Sequence, residues 1–412
     1  MKTAAIIAEY NPFHKGHIYH IEQTRRLTGS GCVIALMSGN FVQRGESAFA
    51  DKYTRARCAL SYADLVLELP AVYAVSSAEG FASGAVSVLD SLGGIDFLSF
   101  GTEASPAESE SLYKAAEILT SEPEAYTALL REKLSCGASF PAARAAALSE
   151  YAKDGGVSAL LSSPNNILAI EYIKALIRKD SKITPFPVKR LGNYHYNADF
   201  PRTGFAGAAE IRSRYRFNGL DGIKDMLDDV VFKILSDACG RSIPVYPDDA
   251  DALLSYAIAA DYDRLSDYAD VGESLAAKIR AEFSRDPLIR FEDFASKLKS
   301  RELTCTRIYR SLIHILLGIK QSDTDMLAAS GYPAYARVLG FNKTGRDFLS
   351  SVKKTASLPI ISNCADIYGS LTPAQKYLFD KDILATRVYA NIVYSKYKTA
   401  PVDDFRSRPI II

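Results

Sequence analysis

The chain of 412 residues is too long for one ordinary domain and, at roughly 150 residues per domain, is expected to form two or three. Its 48% hydrophobic and 24% charged residues are those of a globular protein and exclude disordered and fibrous architectures. The formal net charge of +1 conceals an uneven distribution: residues 297–412 carry 18 Lys plus Arg against 9 Asp plus Glu, a balance of +9, residues 217–296 carry 8 against 17, a balance of −9, and residues 1–216 are left with +1.

Short apolar runs at Ala4 to Ala8, Cys32 to Met37, Leu65 to Leu69 and Phe97 to Phe100, each bounded by turn residues, read as buried strands. Ile18 to Leu27, Asp51 to Tyr62 and Ser76 to Leu92 have helical composition between them, so the first hundred residues predict a parallel α/β sheet with right-handed crossovers. Its ligand site would then lie beyond the carboxyl ends of the strands, in the loops Glu9 to His17, Ser38 to Glu46 and Gly101 to Glu103. Helices are predicted at Pro106 to Thr120, near Tyr126 to Leu134, at Ala142 to Lys153 and from Pro164 through Ile177 with Ser163 or Asn165 as cap, followed by a strand at Thr184 to Leu191. Beyond Arg216 the pattern predicts helices only, among them Ser274 to Ser284, Arg307 to Ile319, Tyr332 to Leu339, Gly345 to Thr355 and Lys381 to Tyr397. Two units follow from this, 1–216 and an all-helical 217–412 whose part 297–412 is basic. Six cysteines scattered without CxxC pairs predict free thiols rather than disulfides or a zinc site, and no run reaches the roughly 20 apolar residues of a membrane span, which predicts a cytoplasmic protein.

Three of the five histidines, His14, His17 and His20, fall within seven residues. His14-Lys15-Gly16-His17 follows the first predicted strand and opens the first helix, which would place free amides of a helix N-terminus beside two imidazole donors and a glycine. That combination suits phosphate. A Walker loop and a GxGxxG loop are both absent, which removes support for kinase-type and dehydrogenase readings. A zinc site built from the three histidines is the alternative, opposed by Pro12, Gly16 and the lack of a nearby acidic or thiol ligand.

Asn11-Pro12-Phe13-His14-Lys15-Gly16-His17 resembles the HxGH signature of the nucleotidyltransferase superfamily. Read together, Ile7 to His14, Ser38-Gly39-Asn40-Phe41-Val42-Gln43-Arg44-Gly45-Glu46, Phe100-Gly101-Thr102-Glu103, Ser163-Pro164-Asn165-Asn166-Ile167-Leu168-Ala169, Arg307-Ile308-Tyr309-Arg310 and Arg337 to Asn342 are similar to the tRNA(Met) cytidine acetate ligase family over nearly the whole chain. The resemblance implies a Rossmann-like nucleotidyltransferase sheet followed by a helical domain. It also implies His14, His17 and Lys15 as catalytic residues, and ATP, with Mg²⁺, against Ile7, Ala8, Glu9, Tyr10, Asn11, Pro12, Phe13, His14, Lys15, Gly16, His17, His20, Gly101, Asn165 and Arg190. Acetate and elongator tRNA(Met) would be the other substrates. Where the superfamily often has Ser-x-Thr-x-x-Arg, this chain has Gly207-Ala208-Ala209-Glu210-Ile211-Arg212, which keeps Arg212 as a phosphate contact and loses both hydroxyls.

In the basic third, Arg307, Arg310 and His314 recur at i, i+3 and i+7 beside Ile308, Leu312, Ile315 and Ile319, predicting an outward cationic face with Lys297, Lys299 and Arg301 nearby. Phosphates of an RNA would fit it. Arg44 reads either as a further substrate contact or as a partner of Glu46. The readings left open are an ATP-using RNA ligase, a small-molecule adenylyltransferase and a non-catalytic nucleotide-dependent RNA-binding protein.

Overall fold

The computed structural model describes all residues except 105–107, 192–204, 301–302 and 401. Among the described residues ten strands form: β1 (Thr3–Ala8), β2 (Cys32–Ser38), β3 (Phe41–Val42), β4 (Glu46–Ser47), β5 (Leu65–Leu69), β6 (Phe97–Thr102), β7 (Thr184–Lys189), β8 (Ala336–Phe341), β9 (Ile360–Ile361) and β10 (Ile410–Ile411). The helices that matter to the site are α1 (Lys15–Thr28), α2 (Lys52–Leu60), α3 (Ala78–Leu92), α4 (Pro164–Arg178), α5 (Ala208–Asn218), α6 (Cys305–Leu317), α7 (Lys343–Val352) and α8 (Pro373–Tyr397). Three helices, Ser109–Ser121, Glu124–Ser135 and Phe140–Ala152, are inserted between β6 and α4.

β2 and β5 are buried along their whole length because helices cover both faces of the sheet, which is why they read as unbroken apolar runs. The order is β10-β8-β5-β2-β1-β6-β7, with β9 beside β8. β1 pairs with both β2 and β6 in parallel, so the chain steps to one side of β1 through β2 and β5 and then returns to its other side as β6. The crevice between the carboxyl ends of β1 and β6 is therefore the topological switch point, where such sheets take ligands. On one face α3 and α4 pack in a core containing Ile34, Leu67, Val86 and Ile170, which continues through Leu254, Leu312 and Leu378 of the C-terminal region. On the other, Ile21, Ala59, Ile211 and Val231 cover Ile6, Val33 and Met37.

Two expectations are corrected. The region beyond Arg216 does not hold helices only: of the residues expected as a Tyr332 to Leu339 helix, Ala336 to Leu339 belong to β8, which joins β5 antiparallel and extends the N-terminal sheet. Pro333 has no N–H to give a helix, and Val338, Leu339 and Phe341 suit a strand enclosed on both sides. Gly340 is required there because a Cβ would lie 2.7 Å from the carbonyl of Ile410 in β10. Helix boundaries also shift: the first helix starts at Lys15 rather than Ile18, and α8 runs back to Pro373. The start of the Pro106 to Thr120 helix lies outside the described residues.

Charges seal the β5–β8 seam. Lys52 Nζ meets Glu68 at 2.9 Å and Asp404 at 3.0 Å, while Arg337 meets Glu68 at 3.3 Å and Asp404 at 2.9 Å. All four side chains are buried. Two cations and two carboxylates cancel, so the quartet is tolerated only as a complete set.

Candidate active site between the ends of β1 and β6

The loop after β1 turns into α1 with His14 as the N-cap. His14 Nδ1 accepts from the Gly16 N–H at 3.0 Å, and His17 Nδ1 accepts from the His14 N–H at 3.2 Å. With Nδ1 of both rings occupied as acceptors, the hydrogen of each neutral imidazole sits on Nε2. The two rings lie side by side, centroids 3.8 Å apart. The expectation of free amides at this helix start holds only in part: the Gly16 and His17 amides bond to His14 itself, and the imidazole Nε2–H groups add to the donors the loop can offer. Gly16 is needed because a Cβ there would fall 2.8 Å from His14 Cε1.

Burial keeps all three histidines uncharged. It lowers His14 to about 3 and His20 to about 4, with the Arg190 cation adding to the effect, and pushes His17 well below its usual range with help from His14 and Arg190. His20 lies one turn along α1 and bonds Ser99 of β6 through Nε2 at 3.0 Å, tying α1 to the neighbouring strand. Phe13 stacks on Tyr62 and packs against His17, Tyr10 meets His17 edge-on, and Ile7, Ala8 and Pro12 form the enclosed backbone leading into the turn. Lys15 is turned aside, its Nζ on the carbonyl of Asp225 at 2.7 Å.

The opposite wall is built from β6, β7 and α4. Glu103 accepts from Ser163, from Asn165 and, at 3.7 Å, faces Arg190 Nε. Asn166 Oδ1 accepts from Thr102 Oγ1 at 2.6 Å and from the Glu103 N–H at 3.0 Å, which docks the start of α4 on the end of β6. Gly101 lies under Arg190, whose Cγ would be 3.1 Å from a Cβ. Gly101, Asn165 and Arg190 thus converge across the crevice from the histidines.

Arginines join the loops that frame the crevice. Arg212 donates to the Asn11 carbonyl at 2.7 Å and to Glu46 at 3.0 Å, so Glu46 pairs with Arg212 and not with Arg44, which is exposed. α5 starts at Ala208 with Gly207 as N-cap and no side-chain cap bond, as the missing hydroxyls imply. Arg55, fully buried, was not foreseen. Its guanidinium donates to the carbonyls of Glu9 at 2.6 Å, Ser38 at 3.0 Å, Ala50 at 2.9 Å and Gly39 and, among the described residues, to no carboxylate. Glu9 Oε1 accepts the Gln43 N–H at 2.8 Å and Asn11 Oδ1 the Phe49 N–H at 2.7 Å, which completes the weld. The signal available in the sequence was Lys52 and Arg55 standing on the same helical face as Ala56 and Ala59.

The β3–β4 turn touches α6: at Gly45, φ 78°, a Cβ would lie 2.2 Å from the Arg310 amide nitrogen. On α6 the expected stripe is corrected. Arg307 is exposed, Arg310 pairs with Asp270 at 3.0 Å, and His314 is buried with its nitrogens on the carbonyls of Ala269 at 2.8 Å and Val75 at 2.9 Å. Lys297 and Lys299 are exposed, and Arg301 lies outside the described residues. Among the described residues no group of three His, Cys, Asp or Glu is arranged to hold a metal ion.

Comparison with known proteins agrees with this geometry. The family model described as HIGH Nucleotidyl Transferase matches residues 1–403. The tRNA(Met) cytidine acetate ligase of Caldanaerobacter subterraneus subsp. tengcongensis is 40% identical over all of both chains, and that of Acetivibrio thermocellus is 38% identical over 94% of each. A crystal structure of Thermotoga maritima TmcAL bound with alpha-thio ATP superposes with a TM-score of 0.90 at 33% identity, covering 100% of this chain and 99% of that one. With its imidazole pair at the switch point of the sheet and these relatives matching end to end, the chain belongs to the HIGH nucleotidyl transferases and, within them, to the tRNA(Met) cytidine acetate ligase family.

Proposed function

We propose that this protein activates acetate with ATP and transfers the acetyl group to N4 of the wobble cytidine of elongator tRNA(Met). The observation that carries the reading is the neutral His14–His17 pair, fixed as Nε2–H donors at the β1/β6 switch point opposite Arg190. The acetate oxygen attacks the α-phosphorus of ATP, pyrophosphate leaves, and an acetyl-adenylate forms. The amine nitrogen of cytidine then attacks the acetyl carbon and AMP leaves. Charge builds on phosphate oxygens in the first step, and preorganised donors in an enclosed site stabilise it without a covalent enzyme intermediate.

Ile7 to His17 with His20, and Gly101, Asn165, Arg190 and Arg212, would line the nucleotide. Lys15 would serve the reaction by leaving the Asp225 carbonyl for a phosphate. Mg²⁺ would ride on the ATP phosphates with few protein ligands, adding to their neutralisation. The C-terminal region, 217–412, would hold the RNA through its basic part, with Arg307, Lys297 and Lys299 as the exposed cations; the contact of α6 with the β3–β4 turn at Gly45 supports this reading. The test supplies ATP, labelled acetate and tRNA without acetyl-coenzyme A. N4-acetylcytidine and AMP in equal amounts are expected; ADP, or acetylation only when acetyl-coenzyme A is added, would exclude the adenylate route. An adenylyltransferase of small molecules would release pyrophosphate without modifying tRNA.

A further inference from the structure

Acylation of an exocyclic amine forms a C–N bond, breaks the C–O bond of the mixed anhydride and requires the nitrogen to lose one proton as AMP departs. A proton acceptor is therefore needed where the acyl group and the base meet. His14 and His17 do not supply it, because both have Nδ1 committed to backbone amides and carry hydrogen on Nε2, and His20 lies a turn further along α1, tied to Ser99 of β6. Glu103, Glu46 and Glu9 are carboxylates of the loops that frame the crevice. Glu103 is taken up by Ser163, Asn165 and Arg190, and Glu46 by Arg212. Glu9 remains.

Glu9 follows the last residue of β1, the strand at the switch point, and precedes His14 by one short loop. Its position is unusually well held for a loop residue: the carbonyl rests on Arg55 and carboxylate oxygen Oε1 on the Gln43 N–H. Oε2 accepts no hydrogen bond from the described residues. We propose that Glu9 is a catalytic residue of the transfer step, its free carboxylate oxygen accepting the proton that the cytidine amine loses as nitrogen bonds to the acetyl carbon. The proposal rests on the acetate-ligase reading above. The groups facing Glu9 are Arg44 and Glu46 of the hairpin, Arg212 of α5, Tyr172 of α4 and Arg55 of α2. Burial outweighs the cations and raises the affinity of Glu9 for a proton, the direction that suits a proton acceptor.

The experiment uses the full chain and separates the half-reactions. Acetate-dependent exchange of labelled pyrophosphate into ATP, without tRNA, reports adenylate formation; a single turnover of enzyme-bound acetyl-adenylate with tRNA reports transfer. Glu9→Gln keeps the acceptor oxygen for Gln43 and the side-chain shape but cannot take a proton. Transfer is expected to slow by roughly 10²- to 10³-fold and exchange, whose site Glu9 borders, to fall by at least about tenfold less than transfer, with melting curves showing that the variant is folded. Transfer within about threefold of the parent, or exchange falling as far as transfer, would overturn the assignment, the latter placing Glu9 in the ATP step. If the unsubstituted protein exchanges no pyrophosphate with acetate, the acetate-ligase reading fails first and this inference with it.

Discussion

His14 holds two tasks in one ring, capping α1 through Nδ1 and presenting Nε2–H, and substitution can separate them. Asn is among the best N-caps and can accept the Gly16 amide, but it offers nothing where Nε2 stands. His14→Asn should therefore keep stability within about 1 kcal/mol and still lose roughly 10² to 10³ in pyrophosphate release; parental turnover would show that the cap alone matters. The histidines also set acid tolerance. Their folded-state affinities for protons lie below the ordinary value of 6.5, at about 3 for His14 and about 4 for His20, so the unfolded chain binds more protons and stability falls as pH drops from 6.5 toward 4. Each contributes a slope of at most about 1.4 kcal/mol per pH unit. Melting curves of His20→Gln across that window should show a shallower acid decline than the parent.

At the scale of elements, the decisive contact is between the β3–β4 turn and α6. Gly45 has a left-handed φ and no room for a Cβ, so Gly45→Ala should cost about 2 to 4 kcal/mol in denaturant unfolding, strain and overpacking together. On α6 itself the two arginines should behave differently. Arg307→Ala should flatten the salt dependence of tRNA binding by about one unit and leave ATP affinity unchanged, whereas Arg310→Ala should act through lost pairing with Asp270. The motif loops were legible because the chemistry needs His, Gly and Asn at fixed spacing, and β1, β2, β5 and β6 because strands covered on both faces are apolar throughout. His314 was misplaced by the same periodic reasoning: it lies on the polar edge of the wheel, and nothing in the local pattern tells of the carbonyls of Ala269 and Val75 that clamp it. Arg55 gave only its place on the small-residue face of α2 as a signal, since its partners are backbone oxygens that carry no residue identity.

Over the whole molecule, the feature that sequence reading missed is the return of the C-terminal region to the first sheet. β8 is a short strand set among helices, and the pairing of Lys52 with Asp404 spans 352 residues, a separation no local pattern reports. Asp404→Ala would leave Lys52 and Arg337 sharing Glu68 alone, an uncompensated buried charge expected to cost about 3 to 5 kcal/mol and to lower the melting midpoint of the entire chain in one transition. The same seam bears on how the protein is made. β5 leaves translation more than 260 residues ahead of β8, an interval of about 15 to 50 s at ordinary elongation rates. During it the nascent sheet has a bare apolar edge, with Lys52 facing Glu68 while Arg337 and Asp404 are still to be made, and such an edge invites association with other chains. Newly synthesised copies should therefore depend on chaperone shielding until β8 and Asp404 emerge, which aggregation of chains released before β8 would check.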